Sequence, residues 1–160
     1  MSIKIEKVSY NNSKDRQVLK TILSKWFENP KELNWTDPRL NYPFNFNKWV
    51  ELTYNDYNVK SFVLKEDKWV IGIGNIILNK NTKFAHALHI FIDSKYRNKG
   101  LGTKMLQYLE ALAKDDNMTT ISINVMPKNK PALKLYKKMG FKEIKSNKRQ
   151  DWLKLQKLLV

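Results

Sequence analysis

The stretch Arg97-Asn98-Lys99-Gly100-Leu101-Gly102-Thr103 lies between an apolar strand pattern, Leu88-His89-Ile90-Phe91-Ile92, and an amphipathic helix pattern that starts at Leu101. A chain that leaves a strand, turns through glycines and enters a helix builds an anion site. Glycines let the backbone pass close to a bound group, and the first N–H groups of the helix point at that group from the positive end of the helix dipole. Pyrophosphate is the natural guest.

Spacing separates the phosphate-binding designs. The Walker pattern ends in Gly-Lys-Ser/Thr, whereas Gly102 is followed by Thr103-Lys104 in the opposite order. The dinucleotide fingerprint needs a third glycine, and Met105 occupies its place. What remains is Arg-x-x-Gly-x-Gly, a weak signal by itself.

A second segment, Asn129-Lys130-Pro131-Ala132-Leu133-Lys134-Leu135-Tyr136-Lys137-Lys138-Met139-Gly140-Phe141, follows the strand pattern of residues 121–125 about 30 residues further on. Asn129 caps a helix and Gly140 closes it. In this order and spacing the two segments resemble the acetyl-coenzyme A-binding core of the GNAT superfamily of N-acetyltransferases. The family's pyrophosphate loop is matched at Arg97, Gly100 and Gly102, and its second motif at Asn129, Ala132, Leu135, Tyr136, Gly140 and Phe141. The resemblance covers residues 59–145 and is thin before them.

Around these motifs the chain reads as one domain over residues 1–160, long enough for a real hydrophobic core. Residues 3–8 alternate as a strand, and residues 15–27 carry apolar positions at helical spacing. Asn29-Pro30 stops that helix, and an irregular stretch leads to a short helix near residues 47–54. Strands follow at 59–65, 68–78 and 83–92, then a helix at 101–114 with Leu101, Met105, Tyr108 and Leu112 on one stripe. A strand at 119–125, the Asn129 helix and closing strands near 141–145 and 152–158 complete the order. Gly72 and Gly74, inside a strand, mark a close approach or a bulge. The fold class is α+β. The resemblance implies the GNAT-type acyl-CoA N-acyltransferase fold, a mixed, mostly antiparallel sheet with splayed middle strands and helices on both faces.

Composition narrows the function. The absence of cysteine excludes disulfides, thiolate metal sites and an acetyl-cysteine route, and His86 and His89 alone do not make a metal site. No metal is expected. With no run of signal-peptide or membrane-span character, a soluble, cytoplasmic protein is expected. The net charge of +15 gathers after residue 126, where eleven Lys/Arg face Glu143 and Asp151, and around the glycine loop at Lys95, Arg97, Lys99 and Lys104. Basic residues beside the loop suit a ligand with several phosphate charges. Nucleic acid is disfavoured, because the aromatics do not interleave with the basic run as a stacking surface requires.

Acetyl transfer needs a neutral amine, a stabilised oxyanion and a proton for the departing thiolate. The resemblance implies Tyr136 as the general acid, and a phenol with a pKa of about 10 suits that role. It further implies that Arg97 orients the loop or contacts phosphate and that the backbone of Asn98, Lys99, Gly100, Leu101, Gly102 and Thr103 binds pyrophosphate. The main chain of Ile90 and Ile92 then pairs with the pantetheine arm, and Asn129 adds a contact. His86 occupies the position where some family members carry a glutamate base, and imidazole titrates near pH 6.5, so it is the candidate general base. Strand alternation puts His86 on one face with Leu88, Ile90 and Ile92 and His89 on the other, unless a bulge intervenes.

Acceptor choice falls to the segment 26–57, which holds nine of the nineteen aromatics and a net charge of −2. Such a wall favours a cationic amine through charge and cation–π contact, while ordinary core packing competes for most of those rings. The expected partners are acetyl-CoA as cosubstrate and an amine acceptor, small molecule or protein amino group, with a homodimer allowed for. The alternative reading is a non-catalytic acyl-CoA-binding sensor of the same fold.

Overall fold

A computed structural model describes residues 2–145 and 151–159. Lys148 and Arg149 of the basic C-terminal run lie outside them. The described chain forms seven strands, β1 (Ile3–Val8), β2 (Val59–Glu66), β3 (Trp69–Asn79), β4 (Phe84–Ile92), β5 (Thr120–Val125), β6 (Lys142–Ile144) and β7 (Leu153–Leu158), in one sheet of order β1-β2-β3-β4-β5-β7-β6. All neighbours run antiparallel except β4 and β5. That parallel pair is joined only from Phe84 to Ala87 against Thr120 to Ile123. Beyond it the two strands part, as the resemblance implies, and open a wedge in the middle of the sheet.

Five helices cover the two faces: α1 (Ser13–Trp26), α2 (Pro30–Thr36) and α3 (Phe46–Trp49) on one, α4 (Leu101–Asp115) and α5 (Lys130–Lys138) on the other. The first layer buries an aromatic-rich cluster that includes Phe27, Trp49, Tyr54 and Phe91, and the second buries Met105, Leu106, Leu109 and Tyr136 over Ile76, Ala87 and Ile121. In α4 the most buried stripe is Met105, Leu106, Leu109 and Ala113, whereas Tyr108 is 38% exposed. Among the described residues no helix is long and apolar enough to cross a membrane.

Helix α2 corrects the sequence reading of residues 30–45 as irregular. Asn29-Pro30 ends one helix and also starts the next, because the Asn29 side chain accepts hydrogen bonds from Lys31 and Glu32 N–H and Pro30 occupies the first turn, where its missing N–H costs nothing. The expected helix at 47–54 begins as α3 and continues as a π-helical turn, Val50–Tyr54. Gly74 is the site of a close approach: a Cβ there would collide with the Met105 side chain, so glycine lets α4 sit directly on β3.

Beta4 carries the main correction. Leu88 pairs with Asn75 and Phe91 with Ile73, so three steps along β4 match two along β3, and His89 adopts a left-handed φ of +49°. This bulge reverses the alternation. His89 therefore lies with His86 and Leu88 on the α2 side, against Trp49 and Tyr54, while Ile90 and Ile92 turn to the α4 side.

Candidate active site

The glycine loop leaves β4 through a single 3-10 turn, Ser94–Tyr96, and enters α4 with Asn98 at φ +63° and Gly100 at φ +76°. Two left-handed residues curl the loop, and Gly100 is the N-cap of α4 without any side-chain cap. The first N–H groups of α4, at Leu101, Gly102 and Thr103, are consequently left without helical acceptors. A Cβ built at Gly100 meets nothing within 4 Å, and at Gly102 only the Leu135 side chain at 3.5 Å. An open space faced by free donors at a helix N-terminus fits a pyrophosphate.

That space belongs to a cavity of about 480 Å³ running along the wedge. Arg97, Asn98, Gly100, Leu101, Gly102 and Thr103 line one end of it. Ile90 and Ile92 of β4, Asn129 at the N-cap of α5 and Tyr136 within that helix also line it. Lys99 is not on its wall; its ammonium lies 5.5 Å over the Tyr96 ring. Arg97 is held away from the loop centre, with Nε donating to the Ile92 carbonyl at 2.9 Å and both terminal nitrogens donating to Glu32 of α2. Asn129 caps α5 by accepting from the Ala132 N–H at 3.4 Å. Tyr136 is 8% exposed, and burial pushes its phenol up to about 12, so it stays protonated at neutral pH.

His86 lines a second cavity, of about 310 Å³, on the α2 side of the sheet. The two cavities share Trp35, Thr36, Leu88, His89, Asn124 and Val125, so they meet where β4 and β5 part. His86 Nδ1 is 2.8 Å from the Ser122 hydroxyl, and burial, with Lys154 adding repulsion, lowers the imidazole to about 4. Neutral imidazole is its resting form. Arg39 and Asp37 form a two-point ion pair on the same wall, 2.9 Å from Nε to Oδ1 and 2.8 Å from Nη2 to Oδ2. Burial alone would push the Asp37 carboxyl up, but hydrogen bonds from Arg39 and His89 hold it well below the usual carboxylate range.

Most of the aromatic segment proves to be core. Phe27, Phe46, Trp49 and Tyr54 are buried, and of the nine rings only Trp35 reaches the second cavity, joined there by Trp152 and the carboxylates of Asp37 and Asp56. Asp37 and Asp56 of the acidic segment do reach the acceptor cavity, whereas sequence reasoning gave no role to the buried Asn75, whose amide donates to the His89 carbonyl. Asn75 was detectable as a lone amide within the apolar strand Val70-Ile71-Gly72-Ile73-Gly74-Asn75-Ile76-Ile77.

Residues 20–141 match the acetyltransferase (GNAT) family. The chain is 34% identical over 116 residues to an N-alpha-acetyltransferase of Sulfurisphaera tokodaii, covering 66% of this chain and 68% of that protein. An N-alpha-acetyltransferase of Saccharolobus solfataricus is 31% identical over 116 residues, with the same coverage. In fold it resembles the spermidine N-acetyltransferase of Vibrio cholerae crystallised with CoA and spermine, at a TM-score of 0.76 and 20% identity over 98% of this chain and 95% of that one. Motifs, wedge and relatives agree: this chain belongs to the GNAT acetyltransferase family and is an acetyl-CoA-dependent N-acetyltransferase.

Proposed function

We propose that the acceptor is the α-amino group of a polypeptide N-terminus, entering through the smaller cavity and meeting the acetyl group where the two cavities join. The observation that carries this reading is His86 on the wall of the acceptor cavity, its Nδ1 held by the Ser122 hydroxyl. Held near 4, it is a poor base for stripping a lysine-like ammonium of pKa about 10.4, of which roughly 1 in 2,500 is neutral at pH 7. An α-amine of pKa about 8 is neutral in roughly 1 molecule in 11 at pH 7 and needs no strong base. The names of the two archaeal relatives support the same acceptor. A protonated N-terminus is also a cation, and Asp56 with the Trp35 and Trp152 rings suits its approach.

In this reading the loop backbone from Asn98 to Thr103 holds the pyrophosphate, Arg97 orients the loop, and the main chain of Ile90 and Ile92 aligns the pantetheine arm. The neutral amine attacks the thioester carbonyl, forming the C–N bond. The C–S bond then breaks, Tyr136 gives its phenolic proton to the departing sulfur, and the amine's proton leaves toward His86 or water. The reaction takes place in the cytoplasm.

Thiol release with acetyl-CoA tests the acceptor against three sets: peptides with free N-termini, the same peptides blocked at the N-terminus but carrying lysine, and polyamines. Acetylation confined to the free N-termini is expected. Turnover of blocked lysine peptides or polyamines, with none on free N-termini, would overturn it.

A further inference from the structure

Within the aromatic cluster under α1, α2 and α3 lies a set of buried polar side chains that the transfer chemistry leaves unused. His89, 5% exposed, stands at the β4 bulge. Its Nε2 is 2.9 Å from Asp37 Oδ2 and its Nδ1 2.6 Å from the Tyr54 hydroxyl, while the Trp49 ring stacks on it with centroids 3.9 Å apart. Asn75 Nδ2 donates to the His89 carbonyl at 3.2 Å. Asp37 is ionised, so Nε2 carries the proton and donates to it, and Nδ1 accepts from Tyr54. Both ring nitrogens are thereby engaged, and neither has a lone pair for a substrate proton.

A ring held in this way fixes backbone. Past Ala87 β4 has no β5 partner, so the β5-facing edge of residues 88–92 borders the larger cavity, and the bulge sets the course of that edge. We propose that His89 is a positioning residue for acetyl transfer. Clamped through its ring by Asp37 and Tyr54 and through its carbonyl by Asn75, it holds the unpaired β4 edge in the line along which the thioester is presented. Asp37 ends α2 and Tyr54 ends the π-helical turn, so the same clamp locks the acceptor wall to the donor edge. The inference rests on the larger cavity being the acetyl-CoA site, and not on which amine is the acceptor.

Misplacing a reacting group by about 1 Å costs about a hundredfold in rate. His89→Ala is therefore expected to lower kcat about a hundredfold while the acceptor KM stays within about threefold. His89→Gln, whose amide restores a donor toward Asp37, recovers about tenfold of that loss, and Tyr54→Phe and Asp37→Asn each lower kcat about tenfold. Leu23→Ala, in the same cluster and without a hydrogen bond to His89, controls for lost packing and keeps native kcat per folded molecule by circular dichroism. Native kcat in folded His89→Ala overturns the proposal, as does a loss in Leu23→Ala equal to that in Tyr54→Phe. Should His89→Ala not fold, Tyr54→Phe decides: a tenfold drop supports the clamp and native turnover overturns it. Titration of acetyl-CoA onto the native chain separates the two readings. Failure to bind removes the assignment of the cavity, whereas binding with unaltered turnover in the variants removes only the role of His89.

Discussion

Arg97 and Glu32 form a two-point ion pair, 3.0 Å from Nη1 to Oε1 and 2.6 Å from Nη2 to Oε2, that ties the first residue of the glycine loop to the first turn of α2. The same guanidinium lies 5.0 Å over the Phe91 ring and donates to the Ile92 carbonyl, so it gathers the end of β4, the loop and α2 at one point. Its charge stays near the phosphate end of the cavity while its donors serve the protein. Glu32→Gln should release the loop and weaken acetyl-CoA binding about twofold to fivefold by isothermal titration, the range for a half-exposed pair worth about 0.5–1 kcal/mol. Arg97→Lys should not restore the native affinity, because an ammonium cannot make the two-point contact and the carbonyl bond together.

Tyr136 tests the chemical step apart from binding. Burial keeps the phenol neutral, the form a general acid needs. Tyr136→Phe should lower turnover about a hundredfold in a thiol-release assay, and acetyl-CoA affinity should stay within about threefold. With the phenol pushed up to about 12, the native turnover should show no alkaline fall below about pH 10. A fall centred near pH 10, absent from the Phe variant, would assign Tyr136 an ordinary, solvated phenol and contradict the burial.

How much of this was legible in the chain depends on the range of the interaction. The β4-loop-α4 unit and the Asn129 helix are local, and their glycines, caps and periodicity stand in consecutive residues, so element order and the donor cavity could be read directly. Helix α2 was hidden because Asn29-Pro30 is a stop and a start at once, and the pair alone does not rank one above the other. The face of His89 was hidden because a bulge leaves no mark on hydrophobic periodicity. Its partners Asp37 and Tyr54 are 52 and 35 residues away, and nothing local names them. The aromatic segment left two uses open, a ligand wall and core packing for most of its rings; packing took most of them, and of the nine only Trp35 lines the acceptor cavity.

Acid should destabilise the fold through the same buried groups. The His86 imidazole is lowered to about 4 in the folded chain and returns to about 6.5 on unfolding, so the unfolded state binds more protons between these values. The stability is fully present above pH 6.5 and is lost as pH falls toward 4, by at most about 3 kcal/mol. Burial lowers His89 in the same direction, and the depressed Asp37 carboxyl adds its loss below about pH 4. The thermal midpoint should therefore drop steeply from pH 7 to pH 4.5, and in His86→Gln the slope should be visibly shallower. Equal slopes would exclude His86 from the effect.

Gly74 and Met105 share one volume, and that sharing sets how closely α4 approaches β3. Met105 is fully buried, and a Cβ at position 74 would overlap its side chain. Gly74→Ala should thus cost about 1–3 kcal/mol by overpacking, and Met105→Ala about 2–5 kcal/mol by leaving a cavity. In the double variant the new methyl occupies part of the vacated space, so the combined loss in urea-unfolding free energy should fall short of the sum by about 1 kcal/mol. Strict additivity would show that the helix has moved instead of the side chain. Because the N-terminus of α4 carries the loop, a moved helix also shifts Gly100 and Gly102 against β4. In that case Gly74→Ala also raises the acetyl-CoA KM and the double variant leaves it raised, whereas a Met105 side chain that yields leaves the KM native in both variants.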